Sequence, residues 1–277
     1  VRARLGMQML VPTYRIAPLP PPGDLESKRV LKALVEAKSA LSLLKGSALA
    51  IPNQGILIDT LALQEAQASS AIENIVTTQD DLYRRDLFPD RFAGPAKEVA
   101  LYRDALRLGY ARMRETQNLI TNGLLIDMFR LLKERSDGFR VLPGTALLND
   151  QSGRIVYVPP QEPGEIQRLM ADLESFVNDD GAAALDPLVK MALIHHQFES
   201  IHPFPDGNGR IGRILNVLYL TRCGLLDIPI LYLSRHINRT KSTYYRLLQE
   251  VRDQGDWEEW IVYMLTAIAE TSHITLR

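Results

Sequence analysis

A twelve-residue segment, His202-Pro-Phe-Pro-Asp-Gly-Asn-Gly-Arg-Ile-Gly-Arg213, combines the side chains that phosphate chemistry needs. His202 can take up a proton near neutral pH, as a general base must. Asp206 offers a carboxylate of the type that helps to hold Mg²⁺ beside phosphate oxygens. Phe204 lies between them and is expected to anchor the segment in the core. A base and a metal-binding acid this close together indicate chemistry at a phosphate.

The second half of the segment has the features of an anion site. Gly207 and Gly209 flank Asn208, and glycines allow the backbone conformations in which successive N–H groups surround an anion. A helix is expected to start near Asn208, and its free N–H groups and positive dipole end would add to this site. Arg210 and Arg213 are three residues apart on that helix, so both can grip a polyphosphate. These residues predict a phosphate cradle.

Each feature has a simpler explanation when it is taken alone. A Gly-Asn-Gly sequence is usually a turn, a single histidine before a loop is more often a capped or surface residue, and Asp206 could serve only as the cap of the next helix. The combination of a base, an acid, a glycine nest and two arginines at fixed spacings favours the functional interpretation.

These residues resemble the signature of the Fic (filamentation induced by cAMP) family, His-x-Phe-x-(Asp/Glu)-Gly-Asn-Gly-(Arg/Lys)-x-x-Arg, and every position from His202 to Arg213 agrees. The resemblance runs over nearly the whole chain, to about residue 270. It implies an all-α fold, a helical bundle with one β-hairpin flap. It also implies an enzyme that transfers AMP from ATP to a hydroxyl side chain of a target protein (a protein adenylyltransferase, or AMPylator).

The same resemblance implies a role for each residue of the segment. His202 would be the catalytic base that deprotonates the target hydroxyl, which then attacks the α-phosphate. Asp206 would hold Mg²⁺, Arg210 would bind phosphate oxygens and Arg213 would hold the γ-phosphate. ATP would be the co-substrate, Mg²⁺ the cofactor, and the partner a protein with a Ser, Thr or Tyr acceptor. Three further residues would cradle the α- and β-phosphates: Gly207, Asn208 and Gly209.

Two other functions stay open at this stage. A sister branch of the fold has Lys where Gly209 stands and transfers phosphate from an inverted nucleotide, so a phosphotransferase or another nucleotide transferase is the first alternative. Gly209 favours AMP transfer. The second alternative is a non-catalytic nucleotide-binding or DNA-associated regulator. The intact His202 and the net charge of −1 argue against it.

Upstream, Ser69-Ser-Ala-Ile-Glu73-Asn74 matches the inhibitory motif of the family, (Ser/Thr)-x-x-x-Glu-(Gly/Asn). The motif is short and occurs by chance in many helices, but its place before a complete signature supports it. Ser69 and Glu73 are four residues apart and share a helix face. The resemblance implies that Glu73 pairs with Arg213, so that ATP binds in an unproductive pose. We expect Glu73→Gly to raise activity.

Residues 144–160 form the only β-prone stretch, with two short runs separated by turn residues, and so predict a β-hairpin. The hairpin resembles the flap that holds the target peptide in this family; the alternative is a purely structural β-arm. Tyr157 on the hairpin is expected near the nucleotide and the target. Downstream, Tyr244 or Tyr245 would line the adenine pocket; the alternative is that these aromatic residues pack in the core.

Helical periodicity covers most of the remaining chain. An extended Pro-rich arm is expected over residues 1–24, and Gly46 is expected to cap the first helix. An N-terminal part, residues 1–95, would hold the arm and the inhibitory helix (about 55–74), and residues 96–277 would form the catalytic core. The predicted helices are 25–45, 55–72, 95–115, 121–136, 163–178, 187–200, 209–223, 240–252 and 256–272.

Composition excludes several classes of protein. Apolar residues make up 46% and charged residues 23% of the 277 residues, as in a globular protein, without the basic excess of proteins that bind nucleic acid or membrane surfaces. We find no signal peptide and no run that could span a bilayer, and Cys223 has no disulfide partner, so a cytoplasmic chain is expected. Contact with nucleic acid is expected only if a winged-helix domain follows Arg277. Self-modification and a homodimer stay open.

Overall fold

The computed structural model describes residues 14–78, 81–82, 94–149, 152–181 and 185–276. Within these ranges the regular structure is helical apart from one two-stranded antiparallel hairpin, which confirms the all-α prediction. None of the described helices is long and apolar enough to cross a membrane. The helices in chain order are α1 (Lys28–Leu49), α2 (Gln54–Ile72), α3 (Pro95–Glu115), α4 (Asn122–Lys133), α5 (Pro163–Asn178), α6 (Pro187–Ile201), α7 (Asn208–Arg222), α8 (Leu233–Arg239), α9 (Lys241–Gln254) and α10 (Trp257–Thr275).

The segment before α1 agrees with the predicted arm where it is described. Residues 14–27 contain neither helix nor strand. The first part of the predicted arm, residues 1–13, lies outside the described residues, as does the centre of the predicted hairpin turn, residues 150–151.

The first helix is longer than its sequence pattern predicts. The Ser27 side chain accepts a hydrogen bond from the Val30 backbone N–H (3.3 Å) and caps the N-terminus of α1. Gly46, predicted to end the helix, lies inside it, because Ala48 continues the buried face of the helix. Packing of α1 against α10 therefore carries the helix past a residue of low helix propensity.

Two further differences concern a helix end and a short helix. The helix predicted over 121–136 ends at Lys133, since Glu134 has a left-handed conformation (φ 49°) and its N–H donates to the Arg130 carbonyl. Helix α8 is absent from the sequence prediction, because its seven residues are too few for helical periodicity to be recognised. The other predicted helices are present, with ends shifted by a few residues.

Helices α6 and α7 form a packed pair at the centre of the molecule. Every residue of α6 from Leu188 to Ile201 is buried, and so are nearly all residues of α7. A helix that is buried on all sides belongs to the core of a bundle. The short loop between them, residues 202–207, is therefore held at both ends by core helices.

Helix α2 lies against α3, α7 and α8. It ends at Ile72, and Glu73 is its C-terminal cap residue. This packing brings the last turn of α2, which contains Ser69, to the first turns of α7. The predicted inhibitory helix therefore reaches the loop that carries the signature residues.

The predicted hairpin is present, with shorter strands than its sequence suggests. Strand β1 (Leu147–Leu148) pairs with β2 (Ile155–Tyr157), and the register is irregular between the two residues of β1. Gly153 has φ 66° and its N–H donates to the Asn149 carbonyl (2.8 Å), which closes the turn.

Candidate active site

The loop between α6 and α7 turns sharply at both ends. His202 has a left-handed backbone conformation (φ 50°), which is uncommon for a residue with a side chain, and its N–H donates to the Phe198 carbonyl (2.9 Å). Gly207 is also left-handed (φ 73°) and caps α7. Between them, the Asn208 side chain accepts from the N–H of Phe204 and donates to its carbonyl, at 2.8 Å each. Both polar ends of this amide are therefore used to close the loop.

Phe204 anchors the loop in the core, as predicted. Its side chain is fully buried, and its ring stacks on Phe129 of α4 with 4.4 Å between the centroids. Phe139 and Phe198 also contact it, at centroid distances of 5.3 and 6.3 Å. Burial of one such side chain stabilises a fold by about 1.5–3 kcal/mol, so the middle of the loop is fixed relative to α4 and α6.

Arg140 supports the loop from the segment that precedes the hairpin. Its Nε donates to the His202 carbonyl (2.8 Å), and its backbone N–H donates to the Pro203 carbonyl (2.8 Å). Its guanidinium also donates to the carbonyls of Pro160 and Ile201. Arg140 therefore ties the loop to the chain on both sides of the hairpin.

The imidazole of His202 is in the protonation state that a base requires. The residue is half-buried, and its Nδ1 has no hydrogen-bond partner among the described residues. Burial lowers the pKa of His202 to about 3, and the nearby positive charges of Arg140 and Arg252 act in the same direction. The ring is therefore neutral at physiological pH.

Arg213 of α7 is bound by the end of α2. Its Nε donates to the Ser69 hydroxyl (2.7 Å), and its Nη2 donates to the Ser69 carbonyl (3.0 Å) and to Glu73 Oε1 (2.8 Å). Arg213 is fully buried, which by itself would lower its pKa, but the charge of Glu73 and other nearby groups holds the pKa above its ordinary value. Arg213 is thus a buried cation whose contacts include both predicted inhibitory residues.

Arg210 is bound by carboxylates in the same way. Its Nε lies 3.3 Å from Glu73 Oε2, and its Nη1 donates to Glu98 Oε2 on α3 (2.8 Å). Glu73 therefore lies between two buried arginines, Arg210 and Arg213. Both arginines of the signature have carboxylate partners in this structure.

Asp206 lies at the open side of the loop, with 59% of its side chain exposed. Its Oδ1 accepts from the Gly207 N–H (2.8 Å), and its Oδ2 is 2.7 Å from Nζ of Lys133 on α4. Partial burial would raise the pKa of Asp206, but the hydrogen bond and charge of Lys133 lower it below its usual value. Asp206 is therefore ionised and accessible.

The donor set fits a Mg²⁺ ion that arrives with a nucleotide. Across the described part of the chain, no group of three or more His, Cys, Asp or Glu side chains gathers to hold a metal. Mg²⁺ commonly takes one or two carboxylates and fills its remaining positions with phosphate oxygens and water. Asp206, as one exposed carboxylate beside an anion nest, could be that ligand.

Gly209 lies directly against the ends of the Glu73 and Arg213 side chains. A Cβ at this position would lie 2.6 Å from Glu73 Oε1 and 2.8 Å from Arg213 Nη1. A lysine here could not coexist with the present arrangement of Glu73 and Arg213.

Tyr157 is buried beneath the loop. It is 2% exposed, its hydroxyl donates to the Ser200 carbonyl (2.7 Å), and Cζ of Arg252 lies 4.0 Å from its ring centroid. The residue predicted to lie near nucleotide and target therefore attaches the hairpin to the end of α6, close to His202.

The two adjacent tyrosines downstream have different environments. Tyr244 is 1% exposed, and its hydroxyl bonds to Nε2 of His195, a buried residue that also stacks on Trp260. Tyr245 is 46% exposed, and its ring stands edge-on to that of Tyr244 with 5.1 Å between centroids. Of the pair, Tyr245 is the one with ring surface available to a ligand.

Two family models match this chain: "Fic/DOC family N-terminal" over residues 31–111 and "Fic/DOC family" over residues 119–220. Together they cover about two thirds of the sequence. The chain belongs to the Fic/DOC family. The first match contains Ser69 and Glu73 and the second contains the whole signature, so both sides of the site lie in Fic/DOC regions.

Named relatives are similar over part of the chain. The protein adenylyltransferase Fic of Aedes aegypti is 33% identical over 120 residues, which are 43% of this chain and 22% of that protein. The protein adenylyltransferase fic-1 of Caenorhabditis briggsae is 31% identical over 107 residues, which are 38% of this chain and 19% of that protein. The matched region spans about a fifth of the length of these curated relatives.

Solved Fic structures share the fold. A Fic family protein from Desulfovibrio desulfuricans G20 superposes with a TM-score of 0.71 at 23% identity, over 90% of this chain and 74% of that one. Fic-1 from Caenorhabditis elegans superposes with a TM-score of 0.67 at 18% identity, over 91% of this chain and 73% of that one. The Fic fold expected from the signature is therefore present.

Sequence reasoning missed the residues that support the Fic site from other helices and loops. Each is an isolated charged residue, which on a helix is usually a solvated one, and no local spacing connects it to the signature. Only the packing of distant segments brings them together: Glu98 from α3, Lys133 from α4, Arg140 from the segment before the hairpin and Arg252 from α9.

Proposed function

We propose that this protein transfers AMP from ATP to a hydroxyl group of a protein, and that Glu73 restrains the reaction. The observation that carries the proposal is the contact of Glu73 with both Arg210 and Arg213, beside a loop that holds a neutral His202. The names of the similar Aedes and Caenorhabditis proteins, both adenylyltransferases, support the same reaction.

The nucleotide would occupy the nest at the start of α7. The Gly207–Gly209 segment would lie against the α- and β-phosphates, with the N–H groups of Asn208 and Gly209 facing them, because the Gly207 N–H donates to Asp206. Arg213 would take the γ-phosphate once Glu73 has withdrawn. Mg²⁺ at Asp206 would neutralise charge on the leaving pyrophosphate. Tyr245 would offer its exposed ring to the adenine, since Tyr244 is buried.

The chemical step needs one proton acceptor. Nitrogen of the neutral His202 imidazole takes the proton of the target hydroxyl, and the hydroxyl oxygen forms a bond to the α-phosphorus. The bond between that phosphorus and the oxygen bridging to the β-phosphate breaks, and pyrophosphate leaves with the electron pair. The remaining catalytic effect comes from positioning and charge neutralisation.

The restraint follows from competition for the same guanidinium. Arg213 cannot hold the γ-phosphate while its Nη2 donates to Glu73 Oε1. A charge-assisted hydrogen bond of this type contributes about 1.5–3 kcal/mol, so the restraint is strong enough to favour the inactive state and weak enough to be reversed. The glycine at position 209 disfavours the phosphotransferase alternative, whose signature has a lysine there.

The proposal is tested with ATP labelled on the α-phosphate and Mg²⁺. We expect label on the protein itself or on a protein mixture, more with Glu73→Gly than with wild type, and none with His202→Ala. Glu115→Gly, at the exposed end of α3, and His273→Ala, at an exposed position in the last turn of α10, are matched controls and should behave as wild type.

A second label separates the alternatives. If label is transferred only from γ-labelled ATP, the protein transfers phosphate and not AMP. Transfer from neither substrate by the Glu73 variant would contradict an enzymatic role. Equal labelling by wild type and Glu73→Gly would contradict the restraint while leaving the transfer itself intact.

A further inference from the structure

Six charged side chains form a row across the site, alternating in sign. The row runs from Arg213, which Glu73 contacts, to the candidate metal ligand Asp206 at the other end. Its successive N···O distances are 2.8 Å for Arg213–Glu73, 3.3 Å for Glu73–Arg210, 2.8 Å for Arg210–Glu98, 3.7 Å for Glu98–Lys133 and 2.7 Å for Lys133–Asp206.

Lys133 is the member of this row to which neither the signature nor the inhibitory motif gives a role. It is the last residue of α4, and its side chain is only 17% exposed. Its stem packs on the loop: a Cβ at Gly207 would lie 3.3 Å from Lys133 Cδ and 3.6 Å from its Cγ. The Lys133 side chain is therefore held against Gly207, the first residue of the nest, and its ammonium contacts Asp206.

We propose that Lys133 binds the phosphates of the nucleotide, and that its ammonium keeps a divalent cation off Asp206 until nucleotide is present. The inference rests on the proposed function. The ammonium and a metal ion both require the Asp206 carboxylate, and two cations at one carboxylate repel each other. Phosphate oxygens between them remove the conflict, because they bind the metal and accept hydrogen bonds from the ammonium.

The charges of the row balance only in the restrained state. The cations Arg210, Arg213 and Lys133 face three carboxylates. When Glu73 withdraws and a metal takes Asp206, Arg210 keeps Glu98, Arg213 keeps only its hydrogen bonds to the neutral Ser69, and Lys133 keeps only the longer contact with Glu98 (3.7 Å). The positive charge that is no longer balanced then requires negative charge, which a polyphosphate supplies.

The test measures binding, without turnover, in the Glu73→Gly background. Titration calorimetry with the Mg²⁺ complex of α,β-methylene-ATP reports the nucleotide, because this analogue resists cleavage between the α- and β-phosphates. Electron paramagnetic resonance with Mn²⁺ alone reports the metal. The variants are Lys133→Met and Lys133→Arg. The control is Lys97→Met, because Lys97 forms a salt bridge with Glu134 (2.6 Å) and lies outside the row of charges.

We expect changes of opposite sign. Lys133→Met should weaken nucleotide binding roughly tenfold, the loss of one charge-assisted hydrogen bond, and should tighten nucleotide-free Mn²⁺ binding severalfold. Lys133→Arg, which keeps the charge, and Lys97→Met should change both values little.

Other outcomes overturn the inference in distinguishable ways. If Lys133→Met changes neither nucleotide binding nor Mn²⁺ binding, Lys133 has no part in the site, and the proposed function is unaffected. Weakening of both would mean that the substitution damages the fold of the loop, and Lys133 would then be structural. Failure of the Glu73→Gly protein itself to bind the nucleotide analogue would overturn the proposed function and this inference with it.

Discussion

At the scale of single residues, the base and its neighbours depend on each other. The left-handed backbone of His202 is held by the hydrogen bond from Arg140 Nε to the His202 carbonyl. The same guanidinium, with Arg252, adds to the effect of burial on the imidazole. Arg140 therefore holds the backbone of the proposed base, and its charge adds to the burial that keeps the imidazole neutral.

This coupling predicts an unusual pH dependence. An imidazole with the ordinary pKa of about 6.5 would lose about three quarters of its neutral form at pH 6. Because the pKa of His202 is lowered to about 3, the neutral base persists and the acid limb moves below pH 6. We expect kcat/KM for AMP transfer by the Glu73→Gly variant, which reports the free enzyme, to stay level between pH 8 and pH 6. If kcat/KM is halved near pH 6.5 while the circular dichroism spectrum is unchanged, the prediction of a lowered His202 pKa is wrong.

At the scale of elements, α2 carries a stripe of polar residues spaced four apart: Glu65, Ser69 and Glu73. The last two bind Arg213, and Glu65 attaches the helix elsewhere. Its carboxylate accepts from the backbone N–H of Ser234 (2.9 Å), from the Ser234 hydroxyl and from the Tyr102 hydroxyl (3.3 Å). Helix α2 is therefore fixed to α8 and α3 by one buried acid.

Glu65 makes the attachment of α2 sensitive to pH. Burial raises the pKa of Glu65 to about 7, so the folded protein keeps a proton that the unfolded chain releases near pH 4.5. The stability that protonated Glu65 contributes is fully present below about pH 4.5 and is lost as the pH rises to about 7. The loss amounts to about 3 kcal/mol at most.

We expect Glu65→Gln to flatten this dependence. The amide is neutral at every pH and can still accept from the Ser234 N–H. Urea unfolding of the variant at pH 5, 6 and 7 should therefore show a smaller fall in the free energy of unfolding than wild type. Some slope should remain, because burial also raises the pKa of Glu199 to about 7. Parallel curves for Glu65→Gln, wild type and the exposed control Glu115→Gln would show that Glu65 is ionised in the folded state.

Local patterns predicted the elements better than their boundaries. The left-handed Gly207, the buried Phe204 and the hairpin each depend on neighbours in sequence, and each is present. The course of α1 through Gly46 was mispredicted, because packing against α10 outweighs local propensity. Residues such as Arg140 and Lys133 could not be predicted, since their function depends on contacts across 62 and 73 positions of the chain.

At the scale of the whole molecule, the site joins two family regions that are distant in sequence. Glu73 lies in the N-terminal region and both arginines lie in the second. Since α6 and α7 form the core, the arginines belong to its most buried part. The end of α2 is packed into this core through the fully buried Ile72, and it contacts the arginines through Ser69 and Glu73. Because the Glu73 side chain is partly exposed, its withdrawal could open the site while the core stays intact.

If Glu73 and a nucleotide compete for the same cations, stability should report the competition. Glu73→Gly leaves Arg210 and Arg213 short of a partner, so we expect it to lower the free energy of unfolding by about 1–3 kcal/mol. Mg²⁺ and the non-cleavable ATP analogue should then stabilise this variant more than wild type, because a ligand stabilises in proportion to the logarithm of its concentration over Kd. Glu250→Gln, which removes a surface pair with Arg246, should show the wild-type response. Equal stabilisation of all three proteins would mean that the phosphates bind without displacing Glu73, and the restraint would then have to act on the target and not on the nucleotide.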